Sequence, residues 1–249
     1  MGASHRPAEG LPRPAFYALA RGGWRDYVTL LHLPYTAWHL SYVVLGACLA
    51  PAVDWPTLAL TAAAFALAMG IGAHALDELD GRPLGTAIPP RVLVGLALCS
   101  VAAAAAIGIA VALERTLWIL PLVAVGMVLV PAYNLALFGG RIHTDLGFAL
   151  AWGAFPVLTA FVAQTGTLRF EAALAAGWAT LLSLAQRHLS HVVRRVRRRV
   201  SSVAGETVLR DGSREPLTRE ELIRAPETAL RLLATATVLL AAALVALRL

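Results

Sequence analysis

The sequence reads LLATATVLLAAALVAL from Leu232 to Leu247, so every position in this stretch is Ala, Leu, Val or Thr. Together with the residues before it, the apolar segment extends over residues 227–247. A helix rises about 1.5 Å per residue, and a segment of this length matches the hydrocarbon thickness of a membrane, about 30 Å. The stretch therefore predicts a transmembrane helix near the end of the chain.

The composition of the whole chain is that of a membrane protein. Hydrophobic residues make up 58% of the 249 residues and charged residues 14%, and the mean hydropathy is +0.68. A soluble domain is about half apolar and about a quarter charged. Because the excess comes in long apolar runs, it argues against an enlarged soluble core. We predict one all-α domain, a polytopic bundle of transmembrane helices.

Apolar runs separated by polar turns predict about seven spans. The Gly139-Gly140 pair is a turn signal between the fourth and the fifth. Pro156 lies inside the fifth span, where a kink is tolerated if neighbouring groups bond the freed carbonyl. The predicted spans cover residues 28–51, 56–76, 91–113, 116–138, 145–164, 170–191 and 227–247.

Basic residues are unevenly distributed between the two sets of loops. All 21 are Arg, and most lie in the N-terminal segment or in the loops after spans two, four and six. The positive-inside rule then predicts a cytoplasmic N-terminus and an outside C-terminus. We expect residues 1–27 to be a cytoplasmic segment, with a short interfacial helix from Phe16 to Trp24. Residues 192–226 are predicted to form a basic cytoplasmic loop.

The formal net charge of +6 bears on partners. In a membrane protein, the expected partners are the anionic lipid surface or a phosphate-bearing substrate, rather than nucleic acid. Abundant Ala, Arg and Gly without Lys are typical of a GC-rich genome, which favours the inner (plasma) membrane of a bacterium. Cys48 and Cys99 fall inside apolar runs and are predicted to be small apolar residues without a disulfide.

Acidic residues cluster at the end of the second span, where residues 74–82 read HALDELDGR. Asp77 and Asp80 are three residues apart and share one face if the helix continues. Two carboxylates at the mouth of a bundle suit Mg²⁺, which fills its shell with water and substrate phosphate. In the alternative interpretation, these acids solvate a helix end and balance Arg82.

A second polar group follows the fourth span and contains Tyr133, Arg141 and Asp145. Tyr133 suits an aromatic belt at the membrane interface, and Asp145 can cap the fifth span. The alternative is that they line a site at the cytoplasmic end of the bundle.

A third polar group follows the sixth span and begins with Gln186, Arg187 and His188. Arg187 and His188 lie close to the bundle and are candidates for a ligand-binding role. The run from Arg194 to Arg199 favours attraction to anionic headgroups at the lipid surface. We therefore expect Arg187 to be more important for ligand binding than any single arginine in that run.

The placement of these three groups at cytoplasmic loops resembles the UbiA-type intramembrane prenyltransferase superfamily. Residues 77–89, DELDGRPLGTAIP, resemble a shortened form of the acidic motif that follows the second helix of that family. Residues 146–153, LGFALAWG, are similar to a Leu-Gly-x-Ala-x-x-Trp/Phe-Gly stretch of the family, and Tyr133 matches a tyrosine at a helix end. The resemblance covers residues 28–200, and we interpret 28–249 as one prenyltransferase-like domain.

The chain also departs from the pattern of the family. Ala73 and His74 stand where the first motif has Asn and Asp, and no second Asp-x-x-x-Asp motif follows the sixth span. Seven spans are two fewer than the usual nine. These departures favour an alternative, a non-catalytic protein that binds an isoprenoid or an anionic lipid.

The resemblance implies a transferase that acts on a prenyl diphosphate with Mg²⁺ and moves the prenyl group to a lipophilic acceptor or cyclises it. The implied metal ligands are Asp77 and Asp80. The implied catalytic residues are Asp77, Asp80, Arg82, Tyr133 and Asp145. The implied diphosphate-binding residues are Arg82, Arg141, Arg187 and His188. The aromatic faces available to a carbocation are those of Tyr35, Trp38, Tyr133 and Trp152.

Overall fold

The computed structural model describes residues 13–249, and helices account for 73% of the chain. Two three-residue strands, β1 (Glu206–Val208) and β2 (Arg214–Pro216), form an antiparallel hairpin. The class is therefore all-α. The helices are α1 (Trp24–Leu30), α2 (Leu33–Cys48), α3 (Trp55–Leu79), α4 (Pro90–Glu114), α5 (Ile119–Asn134), α6 (Asp145–Thr165), α7 (Phe170–Arg199) and α8 (Arg219–Arg248).

Four of these helices are long and apolar enough to cross a membrane, namely α3, α4, α6 and α8. Helix α5 is apolar but shorter. These helices make the chain a multi-pass integral membrane protein, as its composition predicts. Two of them contain a π-helical segment, Ala66–Ala73 in α3 and Leu150–Ala154 in α6.

Helix α2 is the centre of the bundle and packs against α6 and α8. Trp38 and Tyr42 of α2 are fully buried there with Val157 and Leu230. The approach of α2 to α6 is close, because a Cβ built on Gly46 would lie 2.2 Å from the carbonyl oxygen of Val157. Glycine is therefore needed at position 46 for the two backbones to meet.

Pro156 is accommodated in the way that its position in a span predicts. Proline cannot donate a backbone hydrogen bond to the carbonyl four residues earlier, which here belongs to Trp152. His39 of α2 contacts that carbonyl oxygen through Nδ1 at 3.0 Å. The helix is π-helical just before Pro156, and the carbonyl oxygen that the proline leaves free has His39 as its partner.

The structure corrects two predictions near the N-terminus. The first predicted span, 28–51, is divided between α1 and α2, because His32 adopts a left-handed conformation with φ 47°. The helix predicted from Phe16 to Trp24 is wrong, since helix begins only at Trp24. Residues 16 and 17 instead pack on the bundle: the Arg231 guanidinium lies 4.6 Å from the Phe16 ring, and the Tyr17 hydroxyl contacts His32 at 2.9 Å.

The segment 192–226 is only partly a loop, so that prediction also needs correction. Helix α7 continues to Arg199, and α8 begins at Arg219, which leaves the short β-hairpin between them. Arg197 of α7 pairs with Glu227 of α8 at 2.6 Å, and Arg231 pairs with the other oxygen of that carboxylate at 2.6 Å. The pair of Arg197 with Glu227 therefore joins α7 to α8 within the segment that was predicted to be a basic cytoplasmic loop.

Candidate functional site

A polar cavity of 720 Å³ opens among one set of helix ends, and residues of all three polar groups in the sequence line it. Asp77 comes from the end of α3, Tyr133 from the end of α5, and Arg187 and Arg194 from α7. Residues 14–17 form one wall, which the sequence did not predict. The fold thus brings together in one cavity residues that are 117 positions apart in the chain, from 77 to 194.

The cavity wall is strongly basic. Five arginines of α7 line it, and Asp77 is the only carboxylate among the lining residues that the structure describes. Such an excess of guanidinium groups attracts an anion, and phosphate suits it best because guanidinium can bond two oxygens at once. The five are Arg187, Arg194, Arg195, Arg198 and Arg199.

The arginines of this wall differ in how far their charge is already balanced. Arg187 donates to Asp145 through Nε at 2.9 Å and lies 5.3 Å from the centre of the Phe148 ring, so it is held in place. Among the described residues, the Arg194 side chain donates one hydrogen bond, from Nε to the backbone oxygen of Ser190 at 3.3 Å. Within residues 13–249 no carboxylate forms an ion pair with Arg194.

The electrostatic surroundings of Arg194 make it a strong anion-binding group. Burial lowers its pKa, the guanidiniums of Arg187 and Arg198 lower it further, and Asp77 and Tyr133 act in the opposite direction. An arginine nonetheless stays protonated in proteins. A half-buried cation beside two like charges is relieved when an anion binds, so Arg194 gains more from such a ligand than an exposed arginine does.

The run 194–199, which the sequence favours as an anchor at the lipid surface, also contributes most of its arginines to this cavity. Arg194, Arg195, Arg198 and Arg199 line it, while Arg197 faces α8 and pairs with Glu227. Because α7 remains helical to Arg199, positions 187, 194 and 198 fall on one helical face.

The two predicted metal ligands are separated by the end of the helix. Helix α3 ends at Leu79, and Asp80 has a non-helical ψ of 88°, so the two side chains do not share a helical face as predicted. Asp77 is half-buried and lines the cavity, whereas Asp80 is exposed and lies outside it. Among the described residues no group of three or more His, Cys, Asp or Glu converges on a common point. Asp77 alone fits one Mg²⁺ that also takes phosphate oxygens.

Three of the predicted diphosphate-binding residues lie outside the cavity lining. Arg82 has φ 53° and donates through Nη1 to the carbonyls of Ile88, at 2.6 Å, and Thr86, at 3.3 Å, so it holds its own loop. Arg141 is exposed. His188 is also exposed, and its Nδ1 contacts the carbonyl oxygen of Leu184 at 2.8 Å.

The loop after α3 is organised by a residue that the sequence analysis did not select. The Glu78 side chain is fully buried and accepts hydrogen bonds from Leu84 N–H at 2.9 Å and from Thr86 N–H at 2.8 Å. The Thr86 hydroxyl donates to the same carboxylate at 2.9 Å. Glu78 therefore turns the chain away immediately after Asp77 and places Asp80 outside.

Of the two predicted catalytic residues near the start of α6, Tyr133 lines the cavity, whereas Asp145 lies outside the lining and pairs with Arg187. Thr144, not Asp145, caps α6 by accepting from Gly147 N–H at 2.9 Å, which leaves Asp145 free to hold Arg187. The Tyr133 ring contacts Trp152, with ring centres 4.8 Å apart. Tyr35 also lines the cavity, but Trp38 does not, because it is fully buried and donates to Tyr42.

A second, apolar pocket lies on the other side of Trp152, among α3, α4, α5 and α6. Met69, Leu129 and Phe155 are among its lining residues, and Trp152 lines both this pocket and the polar cavity. A basic cavity next to an apolar pocket suits a ligand with an anionic head and a hydrocarbon tail.

No protein-family model matches the chain, and no curated protein or solved structure matches it either. The class that the fold and the site define is a multi-pass helical membrane protein with a basic cavity at one end of its bundle. The resemblance of residues 77–89 and 146–153 to the UbiA-type superfamily stays a prediction from sequence.

Proposed function

We propose that the chain is a divergent UbiA-type transferase that binds a prenyl diphosphate and moves its prenyl group to a lipophilic acceptor or cyclises it. The observation that supports this proposal is the junction at Trp152 of a basic cavity and an apolar pocket. A prenyl diphosphate has the same division, since two phosphates carry its charge and an isoprenoid tail carries none.

The proposed roles follow from the wall of the cavity. Arg194, Arg187 and Arg198 bind the diphosphate and stabilise the negative charge that develops as the C–O bond breaks. Asp77 would hold Mg²⁺, which when bound adds positive charge beside the leaving diphosphate. The faces of Tyr133 and Trp152 lie on the side where a carbocation forms, and aromatic faces attract cations. Arg187 is positioned by Asp145.

The proposal includes the membrane arrangement that the arginine distribution predicts. The chain crosses the plasma membrane of a bacterium seven times, with the N-terminus and the polar cavity on the cytoplasmic side. In this arrangement α2, α5 and α7 cross in addition to the four long apolar helices. Diphosphate substrates dissolved in the cytoplasm would then reach Arg194 without crossing the membrane.

A second candidate is a protein that binds the prenyl diphosphate, or another anionic lipid, without turning it over. It is favoured by one observation, the single carboxylate among the described residues of the cavity wall. Arginines that bind a phosphate do not by themselves supply a second site for a metal ion. The two candidates share the ligand and differ in whether a bond breaks.

Release of pyrophosphate from a panel of allylic prenyl diphosphates tests the proposal. We expect purified protein with Mg²⁺ to release pyrophosphate from at least one of them, and Asp77→Asn to lower the rate about tenfold or more. Asp80→Asn, the matched control, removes an exposed charge outside the cavity and should stay within about twofold of the wild type. Binding without release would favour the second candidate, and neither binding nor release would contradict both.

Reporters fused to the two ends test the membrane arrangement. Seven spans and the arginine distribution predict that an N-terminal reporter is cytoplasmic and a C-terminal reporter is outside. The measurement is the activity of compartment-specific reporter enzymes in whole cells. If both reporters were found on the same side, the number of spans would be even and the proposed arrangement would be wrong.

A further inference from the structure

Two buried polar atoms of the cavity wall have no hydrogen-bond partner among the described residues. They are the hydroxyl oxygen of Tyr133 and the Oε1 atom of Gln186. Tyr133 is 5% exposed and Gln186 is 4% exposed, and both line the polar cavity. Buried polar atoms nearly always have a partner, and leaving one without any costs about 1–3 kcal/mol.

The surroundings of each side chain prevent it from finding a partner within the protein. The Tyr133 ring is stacked on His143, with ring centres 4.7 Å apart, and contacts Trp152 on another side. Gln186 lies on the inner face of α7, three residues after Ser183, whose hydroxyl donates to Tyr42 at 3.3 Å. The Ser183 hydrogen is therefore already engaged and is not available to Gln186.

The chemistry of the two atoms restricts what can bind them. Tyr133 can donate one hydrogen bond, whereas Oε1 of Gln186 can only accept one. A phosphate or carboxylate offers acceptors alone, so it cannot satisfy Gln186, and the arginines of α7 attract it more strongly. A hydroxyl group has the chemistry that each atom needs, because its oxygen can accept from Tyr133 and its hydrogen can be donated to Oε1.

We propose that Tyr133 and Gln186 form a subsite for the hydroxyl group of an uncharged amphiphile, separate from the arginines that bind phosphate. Contact of Tyr133 with Trp152 places the subsite at the boundary of the apolar pocket, so the ligand is an alcohol with a hydrocarbon body. The inference deepens the proposed function and rests on it in one respect, namely that this alcohol is the lipophilic acceptor. It assigns Tyr133 and Gln186 as the residues that select a hydroxylated acceptor.

Photolabelling of the full-length protein in detergent tests the subsite without any diphosphate. The probes are a long-chain fatty alcohol with a diazirine in its chain and the matching hydrocarbon without the hydroxyl group, which can neither donate nor accept a hydrogen bond. Labelled peptides are mapped by mass spectrometry, and the half-saturating concentration is measured for each probe. We expect the alcohol to label the cavity at about tenfold lower concentration than the hydrocarbon, as two modest hydrogen bonds would give.

Two variants and one control decide the assignment. Tyr133→Phe and Gln186→Leu should each lower the preference for the alcohol to about threefold, because each removes one of the two hydrogen bonds, and should leave labelling by the hydrocarbon unchanged. Tyr35→Phe makes the same chemical change on a half-buried tyrosine of the same cavity and should keep the preference. If either of the first two variants does not purify, the other alone decides.

Two results would overturn the subsite: no preference for the alcohol in the wild type, or an unchanged preference in the variants, which would mean that water alone satisfies these atoms. Pyrophosphate release is measured separately on the same preparations. In the wild type, pyrophosphate release without a preference for the alcohol refutes the subsite alone, and a preference for the alcohol without release refutes the transferase alone.

Discussion

Arg194→Gln is expected to weaken the binding of farnesyl diphosphate by about tenfold to a hundredfold, because one charge-assisted bond to a buried guanidinium contributes about 1.5–3 kcal/mol. Arg194 is half-buried in the cavity wall, and within residues 13–249 no carboxylate pairs with it. Its full charge is therefore available to a ligand. The measurement is the dissociation constant of farnesyl diphosphate for purified protein in detergent, with and without Mg²⁺.

Arg197→Gln is the matched control, since it removes the same group from the same helix three residues further along. Arg197 pairs with Glu227 and lies outside the cavity, so this variant should lower thermal stability and leave the dissociation constant within about twofold. Arg187→Gln should have an intermediate effect, because Asp145 already balances part of its charge. An equal loss of affinity in the variants at 194 and 197 would show that α7 acts only through summed charge.

Glu78→Ala is expected to destabilise the protein by roughly 3–5 kcal/mol, because it removes a buried carboxylate and leaves two backbone N–H groups without an acceptor. Those groups belong to Leu84 and Thr86, both of which donate to Glu78 at less than 3 Å. In a chain of this size the melting temperature should fall by roughly 10 °C. The measurement is thermal unfolding in detergent.

Glu78→Gln is the control for this prediction. The glutamine side chain keeps one oxygen for the two N–H donors and loses the charge, so it should recover about half of the lost stability. Exchange of Leu84 and Thr86 amide hydrogens should be much faster in Glu78→Ala than in the wild type. If Glu78→Ala melted at the wild-type temperature, the role assigned to Glu78 in turning the loop after α3 would be wrong.

The sequence predicted the class of the fold and the residues that meet at one end of it. Apolar run lengths are sufficient for this purpose, because a membrane allows few structures other than complete helices. Loops after alternate spans lie on the same side, so Asp77, Tyr133 and Arg187 could be expected near one another. The structure places all three in the same cavity.

The predictions that failed were those that depended on the residue at which a helix ends. Asp77 and Asp80 share a face only if α3 continues, and the hydrogen bonds of Glu78 to the following loop end it at Leu79. Conversely, α7 continues through the arginine run, and this places Arg194 in the cavity. Helix ends depend on bonds to residues several positions away, which spacing alone does not reveal.

The break between α1 and α2 did leave a signal in the sequence. Pro34 lies in the first turn of α2, where proline is favoured, and it disfavours helical conformation in the residue before it. The unpartnered atoms of Tyr133 and Gln186 left no signal in the sequence, because burial without a partner arises only when separate helices pack. Such a subsite becomes visible only in the folded protein.

In the proposed function, the arginine-lined cavity receives the diphosphate of a prenyl lipid whose tail enters the apolar pocket. The decisive measurement compares the dissociation constants of farnesyl diphosphate and the hydrocarbon farnesene for the wild-type protein in detergent at one ionic strength. The two ligands have similar tails, and only the first carries a polar, charged head. We predict that the diphosphate binds at least about tenfold more tightly, as charge-assisted bonds from two guanidiniums require. Equal affinities for the two ligands would contradict binding of the diphosphate by the arginines of the cavity.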